Sequence, residues 1–313
     1  MKVTEDRLFP IFESVCGSQL YGTNTPASDT DWRGVVIPPI QVYFGTQKFE
    51  QLETKKPDRV LYSIDKAVKL VAACNPNMIE LLFVPEQFIE HCHPFWQRMI
   101  DNRDLFVSKK ARHTFSGYAF SQLRRIKQHQ RWLTDAPEQP DREAMGLNPH
   151  KRDFNEDHLN ALRIIPRDLI QEDHREIIRA ELAYSAAQRE WKEYQRWCKE
   201  RNPARLHLEQ QFGFDVKHAS HLVRLLRMGE EILDGRGVIV NRRGVDADEL
   251  KSILQGAWSY DELVAYADAM DAKLDALYET STLQHEPDHA AIENLLMGVF
   301  EEHFGLKIIK NSV

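Results

Sequence analysis

The sequence predicts an α+β protein: a compact unit of short strands and helices, followed by a longer and mostly helical region. Two changes of pattern carry that reading. Residues 8–64 offer brief apolar runs broken by turn residues, whereas from Ile64 onward Ala67, Leu70, Val71 and Cys74 recur at helical spacing. Beyond Ser108 helical periodicity takes over. Residues 1–107 are therefore expected to form one domain and residues 108–313 a helical one, with a loop insertion near 136–158.

Each element has its own signal. Residues 9–15 are an apolar strand, and residues 32–37 a second that stops at Pro38-Pro39, because proline cannot donate to a ladder. Two more strands, 49–53 and 59–63, flank the turn at Lys55-Lys56-Pro57-Asp58. The helix opening at Ile64 ends at Asn75-Pro76-Asn77, and residues 78–83 begin another short one. Residues 111–132 carry an apolar and aromatic stripe, and Pro137, Pro140, Gly146 and Pro149 mark 136–158 as a surface loop. Helices are expected at 159–201, 214–233, 246–255 and 260–278, the last opened by a Ser259/Glu262 capping box. A short strand is expected at 238–240. Trp191, Tyr194 and Trp197 at helical spacing are read as packing aromatics rather than a base-stacking platform.

Composition excludes several classes. With 313 residues, 42% hydrophobic and 28% charged, the chain can bury a sizeable core. No apolar run approaches the roughly 20 residues that span a bilayer, so no membrane partner is expected. Nor does the start carry the apolar h-region of a secretory signal. Four cysteines without paired spacing point to reduced thiols and a cytoplasmic location. His91-Cys92-His93 lacks a second ligand pair, so it is read as a strand end or loop and no zinc is assigned. A net charge of −7 argues against nonspecific coating of nucleic acid and leaves room for a local basic channel.

Residues 16–35 hold the densest chemistry. Gly17-Ser18 closes the first apolar run, a turn with Gly22 follows, and Asp29 and Asp31 lead into the next strand. Carboxylates at i and i+2 on a strand point the same way and suit hard, oxygen-seeking cations such as Mg²⁺ or Mn²⁺. A glycine turn ahead of them lets backbone N–H groups approach phosphate oxygens. Asp-x-Asp alone is common and also fits a solvated turn. The joint order of strand, Gly-Ser, glycine-bearing turn, Ser-Asp-x-Asp and strand favours nucleotide chemistry.

These residues resemble the nucleotidyltransferases of the DNA polymerase β superfamily, and within it the branch predicted to accompany RNA-repair ligases. The likeness rests on Gly-Ser-x-x-Tyr-Gly-Thr at 17–23, Ser-Asp-x-Asp-x-x-Gly-Val at 28–35 and Asn-Pro-Asn-x-x-Glu-Leu-Leu at 75–82. Gly117-Tyr118-Ala119 to Gln122 and the stretch 215–225 are similar too. The resemblance implies a polymerase-β-like core of a small mixed sheet with helices. It also implies a Mg²⁺- or Mn²⁺-dependent enzyme that moves a nucleoside monophosphate from an NTP, ATP among them, to an acceptor with release of pyrophosphate. Asp29 and Asp31 would hold metal, and Gly17 and Ser18 the terminal phosphates. Asp58 is the best match for a third, catalytic carboxylate, with Glu50, Glu53 and Asp65 as alternatives. RNA is the implied acceptor, and an RNA ligase the implied partner. A protein hydroxyl (AMPylation) and a non-catalytic module that binds nucleotide or RNA and recruits a ligase are the rival readings.

Lys217, His221 and Arg224, at i, i+4 and i+7, line one helix face. That stripe suits a triphosphate or an acceptor backbone, and it equally suits a solvated amphipathic face. Tyr118, Gln122 and Arg125 share the spacing, with Tyr118 read as a packing aromatic. Lys109, Lys110, Arg112, Arg124, Arg125 and Lys127 are the candidates for a basic rim.

Overall fold

The computed structural model describes residues 3–26, 28–150, 154, 157–158 and 172–306. The chain divides into two compact units, one made of residues 1–125 and 216–313, the other of residues 126–215.

The first unit is built on a five-stranded sheet ordered β3-β4-β2-β1-β5. Its strands are β1 (Phe9–Cys16), β2 (Asp31–Ile37), β3 (Gln51–Lys55), β4 (Asp58–Ser63) and β5 (Ile89–Cys92). Only β2 and β4 run parallel; the other neighbouring pairs are antiparallel. The expected strand at 49–53 is displaced to 51–55, because Gln51 pairs with Tyr62 and Lys55 with Asp58 in the hairpin. His91 and Cys92 end β5, and His93 caps the next helix.

One sheet face is apolar: Val36 and Leu61 are buried there with Val3 and Leu8, and Val42, Phe49 and Leu52 pack against them. Gly34 belongs to that face. A Cβ at Gly34 would lie 2.6 Å from Leu61 Cδ2 and 2.8 Å from the Phe12 carbonyl oxygen. Because the second contact is backbone, relaxation is poor. Gly34→Ala is expected to cost about 1–3 kcal/mol, read as a lower denaturation midpoint with an unchanged m-value.

Short helices surround the sheet: α1 (Gly17–Tyr21), α2 (Gln41–Phe44), α3 (Ile64–Ala72), α4 (Pro76–Ile79) and α5 (Pro94–Asp101). Asn75 caps α4 by accepting from the Asn77 N–H, and Pro76 follows at the first helical position, where its missing donor costs nothing. The long α6 (Ala111–Thr134) closes this part of the chain. The chain then returns to the first unit through α9 (Val216–Leu233), α10 (Ala247–Leu254), α11 (Tyr260–Thr280) and α12 (His289–Phe304). The capping box at Ser259 and Glu262 is formed. These compact units do not part at residue 107, because the returning helices bury their apolar faces with the strand-bearing segment. Val238 and Val240 are buried but form no strand: the segment has no regular secondary structure and no ladder partner among the described residues.

Several basic candidates for a rim turn out to be structural. Arg112 is buried and pairs with Asp271 and Asp275, Lys109 donates to the Tyr278 carbonyl, and Lys110 pairs with Glu286. Together they hold the start of α6 and the two residues before it to the helix Tyr260–Thr280 and the segment that follows it. Arg124, Arg125 and Lys127 are exposed. Tyr118 is not a core aromatic: it is partly exposed, and its hydroxyl accepts from Asn75 Nδ2 at 2.9 Å.

The second unit contains α7 (Glu172–Glu200) and α8 (Pro203–Phe212). The expected helix from 159 falls partly on residues outside those described. Of the three aromatics expected to pack, Tyr194 and Trp197 do so, at ring-centroid distances of 5.5–5.9 Å from each other and from Trp132, which the spacing had not singled out; Trp191 is half-buried and takes no part in that cluster. Arg142 makes a two-pronged ion pair with the buried Glu181 at 2.6 and 3.0 Å, pinning the turn at 142–147 to α7.

Candidate active site

The strand ladder gathers the acids. Asp31 opens β2 and stands in register with Cys16 on antiparallel β1 and with Asp58 on parallel β4. Asp29 lies one step ahead, in the segment before the strand rather than on it, and is exposed, as is Asp58. Asp31 is half-buried. Among the described residues none of the three takes part in an ion pair or side-chain hydrogen bond. Glu50, one alternative third acid, is paired with Lys66; Asp65 accepts from Tyr43; and Glu53 accepts from Gln51.

The mutual repulsion is legible in Asp31. Its carboxyl is raised from the ordinary aspartate value, first by partial burial and then by the charges of Asp58 and Asp29. Lys217 and Arg33 act in the opposite direction. Three unpaired carboxylates are of the hard-oxygen type that suits Mg²⁺ or Mn²⁺, although their oxygens do not all lie within 4.8 Å of one another. One set of His, Asp or Glu ligand atoms among the described residues does converge within 4.8 Å, but elsewhere, at His129, Glu209 and Asp215 in the second unit. Arg201 forms an ion pair with Glu209 there, so that set is a buried ion-pair network.

Gly17 and Ser18 begin α1 directly after β1. A helix start has N–H groups without intrahelical acceptors, suited to anionic oxygens. Gly17 has φ of +64°, and a Cβ there would stand 2.2 Å from Asp31 Oδ2. The glycine is thus required twice, by its left-handed backbone and by the closeness of the acid. Cys16 beside it is no nucleophile, since burial pushes its thiol up to about 12. Gly17→Ala would swing the Asp31 carboxylate away at little cost in packing. Activity is expected to fall roughly 100-fold, the scale of a misplacement of about 1 Å, with a stability loss of only about 1–2 kcal/mol from the strained backbone. A steady-state assay beside a thermal melt checks both.

The basic stripe of α9 runs from solvent into the core. Lys217 is exposed and its charge acts on Asp31; His221 is half-buried; Arg224 is buried. The structure therefore brings Lys217 to the acids and not Arg224. Arg224 pairs with Glu80 at 2.6 Å and lies 3.7 Å over the Tyr21 ring, while the Tyr21 hydroxyl donates to Glu80 at 2.7 Å. Helical spacing fixed the shared face but not where the face meets its neighbours. His221 is held well below the usual imidazole range, first by burial and then by Arg224, His218, Arg33 and Lys217, so it is neutral at pH 7.

Two further residues hold the Gly-Ser element. The Arg242 N–H donates to the Tyr21 carbonyl, Arg243 donates to the Gln19 carbonyl, and the Arg243 side chain lies against Gly22. Arg242 itself is buried between Glu231 and Asp246. Sequence reasoning passed over Asn241-Arg242-Arg243, since a basic pair in a turn looks like wet surface. Tyr21 and Glu80, in contrast, stand inside the quoted motifs.

A mixed sheet with a Gly-Ser turn feeding acids on adjacent strands is a polymerase-β-like core. Residues 4–136 match the model of RlaP, the RNA repair pathway DNA polymerase beta family. The resemblance read from the motifs holds over that stretch, which includes 17–35, 75–82 and 117–122; the stretch 215–225 lies outside it. The chain is also similar to an uncharacterized 38.9 kDa protein from the nrdC-mobD intergenic region of Enterobacteria phage T4, with 29% identity over 125 residues. That alignment covers 36% of this chain and 37% of the phage protein, so the chain spans little more than a third of the relative's length. No solved structure matches. No described helix is long and apolar enough to cross a membrane.

Proposed function

We propose that the chain is a divalent-metal-dependent nucleotidyltransferase that moves a nucleoside monophosphate from an NTP to the hydroxyl of an RNA end. The observation that carries this is the cluster of Asp29, Asp31 and Asp58: three carboxylates without protein counter-charges in contact, beside the Gly17-Ser18 turn. The acceptor class is supported by the RNA repair description of the matching family, and an RNA ligase is the corresponding partner.

In this reading Asp29, Asp31 and Asp58 would hold Mg²⁺ or Mn²⁺, which when bound would supply charge neutralisation for the phosphates and the attacking oxygen. The Gly17 backbone and the Ser18 hydroxyl hold the terminal phosphates. Asp58, exposed at the start of β4, faces the acceptor and takes its hydroxyl proton. The freed oxygen forms a bond to the α-phosphorus as the α–β bridging bond breaks, and pyrophosphate leaves with that electron pair. Lys217 offsets charge at the acids, and the neutral His221 orients rather than neutralises. Residues 1–107 carry the acids in this division of labour, and the returning helix α9 completes the site.

Incubation with each α-labelled NTP and Mg²⁺, with and without total RNA, tests the reading. It predicts label on RNA that disappears with EDTA. Label on protein alone would indicate AMPylation instead, and no label with any NTP would contradict nucleotidyl transfer.

A further inference from the structure

We propose that Arg33 is the phosphate-binding guanidinium of this cleft, a role that helical spacing had offered to Arg224. This rests on the nucleotide reading of the site and deepens it by naming the residue that grips the substrate's phosphate oxygens.

Arg33 stands two residues after Asp31 on β2, so both side chains emerge on one face of the sheet. Its charge acts on both Asp31 and His221. Among the described residues it forms no ion pair. One bond fixes it: Nη1 donates to the Asn77 carbonyl at 2.9 Å. Asn77 is the second residue of α4, its N–H held by the Asn75 cap, and Asn75 in turn donates to Tyr118. The guanidinium is thus held at one nitrogen, while its other donors are neither bonded nor sealed from solvent.

Of the other arginines near this cleft, Arg243 also has no carboxylate partner among the described residues, but its guanidinium donates to the Gln19 carbonyl, Asn24 and Asn241; the rest are neutralised. Arg224 is neutralised by Glu80, Arg242 by Glu231 and Asp246, and Arg59 by Glu13 and Glu5 on the opposite face. A half-buried guanidinium without a carboxylate partner, anchored at one end and open at the other, suits a phosphate oxyanion, which it can meet with two parallel N–H donors. Lys217 supplies a second charge to the same space. The oxyanion belongs either to the NTP or to a phosphate of the acceptor strand.

Arg33→Met and Arg33→Lys separate these. Titrations with inorganic triphosphate, with each NTP in Ca²⁺ to withhold turnover, and with an RNA oligonucleotide are run against the wild-type protein. For Arg33→Met an affinity loss of about 10–100-fold is expected for triphosphate and NTP, the scale of one charge-assisted hydrogen bond. Arg33→Lys is expected to recover part of it, with thermal midpoints close to wild type. A loss confined to RNA, with triphosphate unaffected, assigns the acceptor's phosphate to Arg33. If Arg33→Met binds triphosphate, NTP and RNA like the wild type, the proposal is overturned while the nucleotidyltransferase reading stands. If binding depends on Arg33 but no nucleotide is ever transferred, the reading fails and the phosphate site remains.

Discussion

Asp31→Asn is expected to abolish nucleotidyl transfer while leaving the protein at least as stable as the wild type. The carboxyl lies at the centre of the acid cluster, with Asp58 across the ladder and Asp29 two residues back. In the proposed mechanism, losing this carboxylate removes several kcal/mol of charge stabilisation, or roughly three or more orders of magnitude in rate. Stability should move the other way. The folded-state value of Asp31 is raised, so above that value the ionised side chain disfavours folding, and below the unfolded-state value the effect vanishes. Removing the charge therefore helps most at neutral pH in EDTA and not at all in strong acid. Thermal melts at both pH values, beside a transfer assay, read the two halves. The same raised value means that the metal-free protein should lose affinity for Mn²⁺ as pH falls, at a higher pH than an unperturbed aspartate would give. An inactive variant that also melts far below the wild type would mark Asp31 as a structural acid.

Glu80→Ala should have the largest effect on folding. Glu80 and Arg224 are 1% and 3% exposed and 2.6 Å apart, and Tyr21 adds a hydrogen bond to the same carboxylate. Removing one member of a buried pair leaves the other charge without compensation, at about 3–5 kcal/mol. The cost is sharpened here because Arg224 Nη2 already lacks a hydrogen-bond partner. Urea denaturation should show the loss, and Glu80→Ala with Arg224→Met should cost much less than the sum of the single changes. If Arg224→Met instead leaves stability unchanged and weakens NTP binding, Arg224 belongs to the substrate site after all.

Much of the sheet was legible in the sequence because its signals are local. Apolar runs bounded by Pro38, by the turn at Pro57 and by Asn75-Pro76-Asn77 located β2, β4 and the ends of α3. The Gly-Ser to Asp-x-Asp order located the candidate acids. Asp58 was harder, since no local rule says that β4 runs parallel to β2 and sets Asp58 beside Asp31. What escaped was long-range pairing. Arg224, 144 positions from Glu80, gives no sign in its own helix that it is buried, and Lys109 and Arg112 look like surface charge until Tyr278, Asp271 and Asp275 meet them. Arg33 escaped for a different reason: an arginine inside a strand is unremarkable until its lack of a carboxylate partner is seen.

The account depends most on Asp29, Asp31 and Asp58 holding divalent cations together, and a crystal soaked with Mn²⁺ and a non-hydrolysable NTP tests that directly. Anomalous peaks within about 2.0–2.3 Å of the Asp29 and Asp31 carboxylates, with Asp58 drawn toward them, are the expected result. Anomalous density confined to His129, Glu209 and Asp215, with the three acids unchanged, would contradict it.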